Sequence, residues 1–207
     1  MKPLSALRGI AMAALLAITP LLPQSAAAQG AYEAKLPPEV NTAPALCNYV
    51  PCTEVLPGAT SFSERKGQPP YVEGYAEENG QRKLVGYVVL STDVTDTPAY
   101  SGKPVITLIG LTPQGNFAGI KILKHSEPIL LLGIPESALV KFNNQYLGKF
   151  VGANIEIGRS RPEEEIIGLD AISGATVTVI AQNQVMMMSG AAVGRQVGIL
   201  EKTVRPQ

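Results

Sequence analysis

A short turn near the C-terminal end of the chain combines residue types that suit the binding of a phosphate. Asp170 is followed by Ser173, Gly174, Ala175 and Thr176, and an apolar segment begins directly afterwards. Asp, Ser and Thr favour turns and helix N-termini because their oxygens accept hydrogen bonds from backbone N–H groups, and glycine permits backbone conformations that other residues resist. A helix that begins at about Ala175 or Thr176 directs unpaired N–H groups and positive dipole to this point. The pattern therefore predicts either a plain helix cap or a phosphate-binding turn.

A second Gly-Ala-Thr triplet, at Gly58, Ala59 and Thr60, lies in different surroundings. Before this triplet, Pro57 stands where the later turn has its serine. Its flanks are rich in proline, and a proline cannot supply the hydroxyl that the later turn has. Of the two triplets, the sequence therefore favours the later one, with Thr176, as the functional turn.

His125 and Glu127 lie together in the segment HSEPILLLGIP, and His125 is the only histidine of the chain. A single histidine cannot by itself hold a metal ion, so no metal site is predicted. Each of the two residues is interpreted either as a structural residue or as a polar partner of a bound ligand. Arg159 and Arg161, in the charged turn RSRPEEE, belong either to a solvated turn or near a ligand phosphate.

The bulk composition excludes one class of partner. Lys and Arg total 17, Asp and Glu total 17, and the formal net charge is zero, so no basic surface is available in bulk for nucleic acid. Aromatic residues make up 5% of the chain and tryptophan is absent, which leaves little material for stacking on bases. The hydrophobic content of 45% is sufficient for a folded core.

The first 28 residues have the pattern of a secretory signal. Lys2 and Arg8 give a basic start, residues 9–22 are almost all apolar, and three alanines at 26–28 suit a cleavage site. The apolar run is shorter than the roughly 20 residues of a membrane span. We expect a cleaved signal and an exported protein, with a retained membrane anchor as the alternative.

The two cysteines, Cys47 and Cys52, are separated by four residues. In an exported protein this spacing predicts a short-loop disulfide. A metal site is the alternative, but two thiols without clustered histidines form an incomplete ligand set.

The remaining chain divides into two parts. Residues 29–70 are rich in proline and small polar residues and are predicted to form an extended, loosely packed arm. A folded domain then spans residues 71–207. Its first half contains four segments of strand character around an Asn-Gly turn, at residues 71–76, 84–90, 105–112 and 117–125.

The second half of the domain has mixed character. Helices are predicted over 136–148, where Gly148 is a stop, and over 176–193, with a strand at 150–158 between them. Residues 197–203 are predicted to form a final strand or short helix. The fold class is therefore α+β, an antiparallel meander packed with a few helices.

The stretch DAISGATVT resembles the flavinylation motif of covalent FMN-binding domains, in which an acid precedes Ser/Thr-Gly-Ala-Thr. The resemblance implies that FMN is attached to Thr176 through a phosphoester bond, which an ApbE-type flavin transferase installs. It also implies a cofactor-binding role for neighbouring residues of the motif: Asp170, Ser173, Gly174, Ala175 and Thr178.

The resemblance extends over about residues 55–200, which look like the N-terminal periplasmic domain of the NosR/NirI-type family. The segment HSEPILLLGIP carries much of it. In related flavin domains the matching loop lies beside the isoalloxazine ring, which implies that His125 and Glu127 contact the cofactor. After Glu127 this chain departs from the general pattern, because Pro128, Ile129 and Leu130 replace Thr-Pro-Gly.

The family resemblance implies a periplasmic electron-transfer flavoprotein domain rather than a turnover enzyme, and no catalytic residue is assigned. The implied partners are membrane electron-transfer components and nitrous oxide reductase or its maturation system. Two alternatives remain open at this point: a regulatory or assembly module without flavin, and a flavin reductase that acts on a small substrate.

Overall fold

A five-stranded antiparallel sheet forms the centre of the fold, and each strand pairs with the next one along the chain. The computed structural model describes residues 36–158 and 166–201. The strands are β1 (Ser61–Phe62), β2 (Val72–Glu78), β3 (Gln81–Leu90), β4 (Ile106–Leu111) and β5 (Phe117–Lys124). Asn79 and Gly80 form the two-residue turn between β2 and β3, both with positive φ, which confirms the predicted hairpin.

Three helices and a second, small sheet complete the architecture. The helices are α1 (Cys52–Val55), α2 (Glu136–Asn144) and α3 (Thr176–Gln196). Strands β6 (Asn154–Ile157) and β7 (Ile166–Leu169) pair in parallel. Short 3-10 turns lie at Pro38–Asn41, Leu46–Asn48, Ser91–Asp93 and Pro128–Leu132. The predicted α+β class, an antiparallel meander with a few helices, is confirmed.

The central sheet is covered on both faces, so its strands carry two separate cores. Successive side chains of a strand point to opposite faces. Tyr87 and Val89 therefore pack with the cluster that includes α2 and α3, whereas Val88 and Leu90 pack with the N-terminal segment. Both clusters contain fully buried residues, and α3 contacts β3 and β4 across the first of them.

The N-terminal segment differs from the expected extended arm over its described part. From residue 36 onward it packs on the second face of the sheet, where Val40 and Val55 are 0% exposed, Leu46 1% and Leu56 2%. These apolar residues occur singly among prolines and short turns, so no helical or strand period marks them as core. Their burial depends on a sheet face that the local sequence does not reveal.

A disulfide closes a loop within this segment, and an ion pair attaches the segment to the rest of the fold. Cys47 and Cys52 form the predicted disulfide. The Arg65 guanidinium lies 3.0 Å from Asp93 Oδ2 and also donates to the carbonyl of Val40 at 2.6 Å. The guanidinium thereby connects the segment to the turn that follows β3.

The predicted strand or helix at residues 197–203 is wrong for residues 197–201, which form turns. The backbone N–H groups of Ile199 and Leu200 both donate to the Gly194 carbonyl, at 2.8 and 3.0 Å. Gly198 has φ +78°, a left-handed conformation that ends the helix.

Other sequence predictions lie outside the described residues. These are the signal at residues 1–28 and the turn that contains Arg159 and Arg161. Among the helices that the structure does describe, none combines the length and apolar character needed to cross a bilayer.

The close approach of α1 to the sheet generates a stability prediction. A Cβ atom at Gly110 would lie 1.9 Å from the Val55 carbonyl oxygen, a backbone atom that cannot move alone. We expect Gly110→Ala to lower the free energy of unfolding by about 1–3 kcal/mol, measured by urea denaturation. Gly152→Ala is the control, because its Cβ would meet only the ends of the Phe150 and Leu200 side chains. Equal losses in the two variants would contradict the proposed backbone contact.

Candidate functional site

Helix α3 begins at Thr176, as the sequence predicts, and its first turn has no side-chain cap. Ala175 is the N-cap residue, no side chain bonds to the first N–H groups, and no acidic residue lies in the first turn. The helix has 21 residues, so its positive dipole end is well developed at Thr176. Gly174 has φ +81°, which explains the glycine before this start. An anion at Thr176 would meet N–H donors that no side chain occupies.

An open cavity of about 190 Å³ lies beside Thr176. Several of its walls are apolar and reach the surface: Tyr100 is 62% exposed, Leu132 59% and Val177 52%. Ile129 lies deeper and is 2% exposed. The full lining is Tyr100, Ile129, Leu132, Gly174, Ala175, Thr176, Val177 and Thr178. The combination of apolar walls with a helix N-terminus suits a ligand that has a flat apolar part and a phosphate.

Glu127 supports this cavity from behind and is not one of its lining residues. Its side chain is buried, and its carboxylate accepts hydrogen bonds from the N–H groups of Tyr100 (3.2 Å) and Ser101 (2.9 Å). The Thr178 hydroxyl donates to the same carboxylate. The sequence places Glu127 at the cofactor, whereas the structure shows its oxygens joining the first turn of α3 to the loop at Tyr100.

His125 lies behind Glu127 and is also absent from the cavity lining. Its Nδ1 accepts a hydrogen bond from the Glu127 N–H at 3.2 Å, and its Nε2 lies 4.0 Å from Glu136 Oε1. Burial lowers the pKa of His125 below its ordinary value, and the opposing effect of the Glu136 and Glu127 carboxylates is smaller. Burial thus favours the neutral form of His125, whose Nδ1 holds the loop at Glu127.

Asp170 and Ser173 are exposed and do not line the cavity beside Thr176. The backbone of Asp170 is held by one side chain: Gln145 Oε1 accepts from the Asp170 N–H at 2.8 Å, and Gln145 Nε2 donates to its carbonyl at 3.1 Å. Asp170 lines a separate groove with residues of α2. Gln145 therefore fixes the segment that leads into the Ser-Gly-Ala-Thr turn.

Sequence reasoning missed Gln145, Tyr100 and Leu132. A polar residue at the end of a helix gives no sign of its distant partner, so Gln145 had no usable signal. Tyr100 and Leu132 did carry one, because large apolar side chains in loops that adjoin a binding motif are candidates for a ligand wall.

The Gly58-Ala59-Thr60 triplet lies beside the first strand of the sheet. The hydroxyl of Thr60 donates to the Tyr75 carbonyl at 3.3 Å at the edge of the sheet, and no helix begins there.

Residues 100–189 match the FMN-binding domain family, and every residue that lines the cavity beside Thr176 lies inside this range. This region is an FMN-binding domain. Proteins of the NosR and NirI type are among the relatives of this chain.

Two relatives are described as regulatory protein NosR. The chain is 38% identical over 146 residues to the one from Pseudomonas aeruginosa, covering 70% of this chain and 20% of that protein. It is 40% identical over 127 residues to the one from Stutzerimonas stutzeri, covering 60% of this chain and 17% of that protein. The chain thus spans about a fifth of the length of these relatives.

A third relative belongs to the Na⁺-translocating ferredoxin:NAD⁺ oxidoreductase complex of Acetobacterium woodii and is one of its subunits. It is 29% identical over 157 residues, covering 69% of this chain and 72% of that protein.

The residues present fit FMN in two respects. The apolar cavity walls suit the isoalloxazine ring, and the uncapped start of α3 suits the phosphate. Thr176, at the junction of these two features, is exposed.

The position of Glu127 generates a prediction for stability. We expect Glu127→Ala to lower the free energy of unfolding by about 1–3 kcal/mol, because the Thr178 hydroxyl and two backbone N–H groups lose their acceptor. Denaturant titration measures the change. Glu127→Gln is the control, since its amide oxygen keeps one acceptor, and it should lose less. If Glu127→Ala and Glu127→Gln lower the free energy of unfolding equally, the hydrogen bonds contribute little.

The lowered pKa of His125 generates a pH prediction. In the unfolded state the His125 imidazole binds a proton at about pH 6.5, whereas in the folded state it binds one only at lower pH. Acidification therefore favours unfolding. We expect the contribution of His125 to the free energy of unfolding to be fully present above about pH 6.5. It should be lost as the pH falls from there through the pKa of His125 in the folded state. His125→Gln should show a shallower decline over the same range, measured by urea titrations at several pH values. If the free energy of unfolding depends on pH in the same way in the wild type and in His125→Gln, His125 does not contribute to that dependence.

Proposed function

We propose that the chain is an exported flavoprotein domain in which FMN is joined to Thr176 through a phosphoester. The observation that carries the proposal is the position of Thr176, which is exposed at the first residue of an uncapped helix and borders an apolar cavity. The Thr176 hydroxyl oxygen becomes the bridging ester oxygen, so the modified chain is heavier by the mass of FMN less one water. The resemblance of DAISGATVT to the flavinylation motif supports the same residue, with an ApbE-type flavin transferase as the partner that installs the bond.

The residues around Thr176 would divide the recognition of FMN between them. The free N–H groups of the first turn of α3 donate to the remaining phosphate oxygens, and Gly174 permits the turn that exposes them. Tyr100, Leu132 and Val177 cover the apolar ring. Glu127 and Thr178 keep these walls in place by their hydrogen bond.

The size of the cavity favours electron exchange over enclosed catalysis. Its volume of about 190 Å³ is below the roughly 300–1,000 Å³ of pockets that enclose a small molecule. A flavin held there keeps part of its ring at the surface, where a docked protein can approach it. Bound FMN supplies the redox chemistry, and the chain sets its position and surroundings.

We infer the cellular role of the domain from its relatives. The NosR-type relatives and the ferredoxin:NAD⁺ oxidoreductase relative support a role in electron transfer next to membrane components. We extend this to a periplasmic domain that passes electrons in support of nitrous oxide reductase or its maturation. The signal pattern of residues 1–28 supports export.

The attachment site is tested by intact-protein mass and peptide mapping after co-expression with an ApbE-type transferase. We expect the mass to increase by that of FMN less one water, with the adduct on the Thr176 peptide. Thr176→Ala should abolish the adduct because it removes the exposed hydroxyl at the first residue of α3.

Thr60→Ala is the matched control, because it removes the hydroxyl of the other Gly-Ala-Thr triplet and should leave the adduct unchanged. An adduct that survives Thr176→Ala contradicts the site. A colourless, unmodified wild-type protein favours the alternative of an assembly module that works without flavin.

A further inference from the structure

A second cavity, of about 240 Å³, lies between β5, α1 and α2 and shares no lining residue with the flavin site. It is lined by Glu54, Ile120, Lys121, Ile122, Val140 and Asn143. The isoleucines and the valine give it apolar walls. Lys121 and Glu54 form an ion pair at its exposed side, with side chains 39% and 55% exposed.

Asn143 is the unusual member of this lining. It is 2% exposed, yet neither Nδ2 nor Oδ1 of its amide has a hydrogen-bond partner among the residues that the structure describes. Buried polar groups are nearly always paired, because an unpaired one loses its hydration without compensation. An occupant that both donates and accepts a hydrogen bond would restore the missing pairing.

The adjacent strand also offers unused backbone groups. β5 is at the edge of the sheet, and its Ile122 lies opposite Thr107 of β4. The Thr107 N–H donates to Ser91 Oγ at 2.9 Å, on the β3 side, so Thr107 and Ile122 form a non-hydrogen-bonded pair. The backbone groups of Ile122 therefore point away from β4. The register is regular back to Ile120, whose backbone groups point the same way.

The outer edge of β5 is paired at one end alone. There the Phe117 N–H donates to the Lys149 carbonyl at 3.0 Å, and the Gly148 N–H donates to the Phe117 carbonyl at 2.8 Å. Farther along, no backbone group elsewhere in the described ranges bonds to residues 119–124 outside the ladder with β4. The ladder thus stops where the cavity begins.

We propose that this cavity binds an extended peptide segment of a partner protein, which adds as a strand to β5 at Ile120 and Ile122. The unpaired polar groups at the cavity, among the described residues, are the backbone amides of β5 and the side-chain amide of Asn143. Another peptide backbone is the chemical complement of such groups. The apolar walls accept β-branched or small apolar side chains. The Lys121–Glu54 pair at the rim suits a segment with one basic and one acidic residue beside its apolar centre.

The test uses the full chain and a capped pentapeptide, acetyl-Lys-Val-Thr-Val-Glu-amide, followed by NMR of the protein amides. We expect saturable shifts of the Ile120 and Ile122 amides and of the Asn143 side-chain NH₂. Asn143→Leu should weaken binding about tenfold, the effect of losing one or two ordinary hydrogen bonds. Asn144→Leu is the matched control, because the neighbouring Asn144 is exposed and does not line the cavity.

A control on the ligand keeps the test independent of how the variants fold. The same peptide methylated on its backbone nitrogens keeps its side chains but cannot donate, so it should fail to bind. The proposal is overturned if neither peptide shifts these amides, if the methylated peptide binds equally well, or if Asn143→Leu binds like the wild type. Exchange of the Asn143 amide with bound water, without peptide shifts, would show a hydration site only and would also overturn it.

Discussion

The carboxylate of Glu127 holds together the parts of the chain that form the cavity beside Thr176. It accepts from the loop at Tyr100 and Ser101 and from Thr178 in the first turn of α3, and its own N–H is bound by His125. A buried acidic group is tolerated only when its hydrogen-bond donors are all in place. The positions of the loop and of the helix start are therefore not independent, and the cavity between them has one defined shape.

The residues that support the cavity are different from the residues that line it. Tyr100, Leu132 and Val177 line the cavity and are exposed, whereas the polar residues Glu127 and His125 are buried and do not line it. No side chain caps the N–H groups at the start of α3. Burial of the supporting polar groups excludes water and makes their hydrogen bonds strong.

Much of the sheet and the start of α3 could be predicted from local sequence. The Asn79-Gly80 turn, the strands around it and the helix beginning at Thr176 each depend on neighbouring residues. The N-terminal segment and the Glu127–Thr178 bond could not be predicted, since the bond joins residues 51 positions apart. Likewise, Gln145 reaches Asp170 across 25 positions, a distance at which single-sequence patterns carry no pairing information.

Helix α2 connects the two cavities of the domain. Asn143 lines the cavity at the edge of β5, the nearby Gln145 holds the backbone of Asp170 ahead of the Ser-Gly-Ala-Thr turn, and Glu136 lies 4.0 Å from His125. Glu136 of this short helix therefore lies near His125 in the Glu127 loop, and Gln145, directly after the helix, holds the segment that leads into the Ser-Gly-Ala-Thr turn. Because packed interiors have low compressibility and transmit strain, a shift of α2 at the edge of β5 would be felt at both supports of Thr176. The cavity at the edge of β5 and the proposed attachment residue thus depend on the placement of the same helix and the residue that follows it.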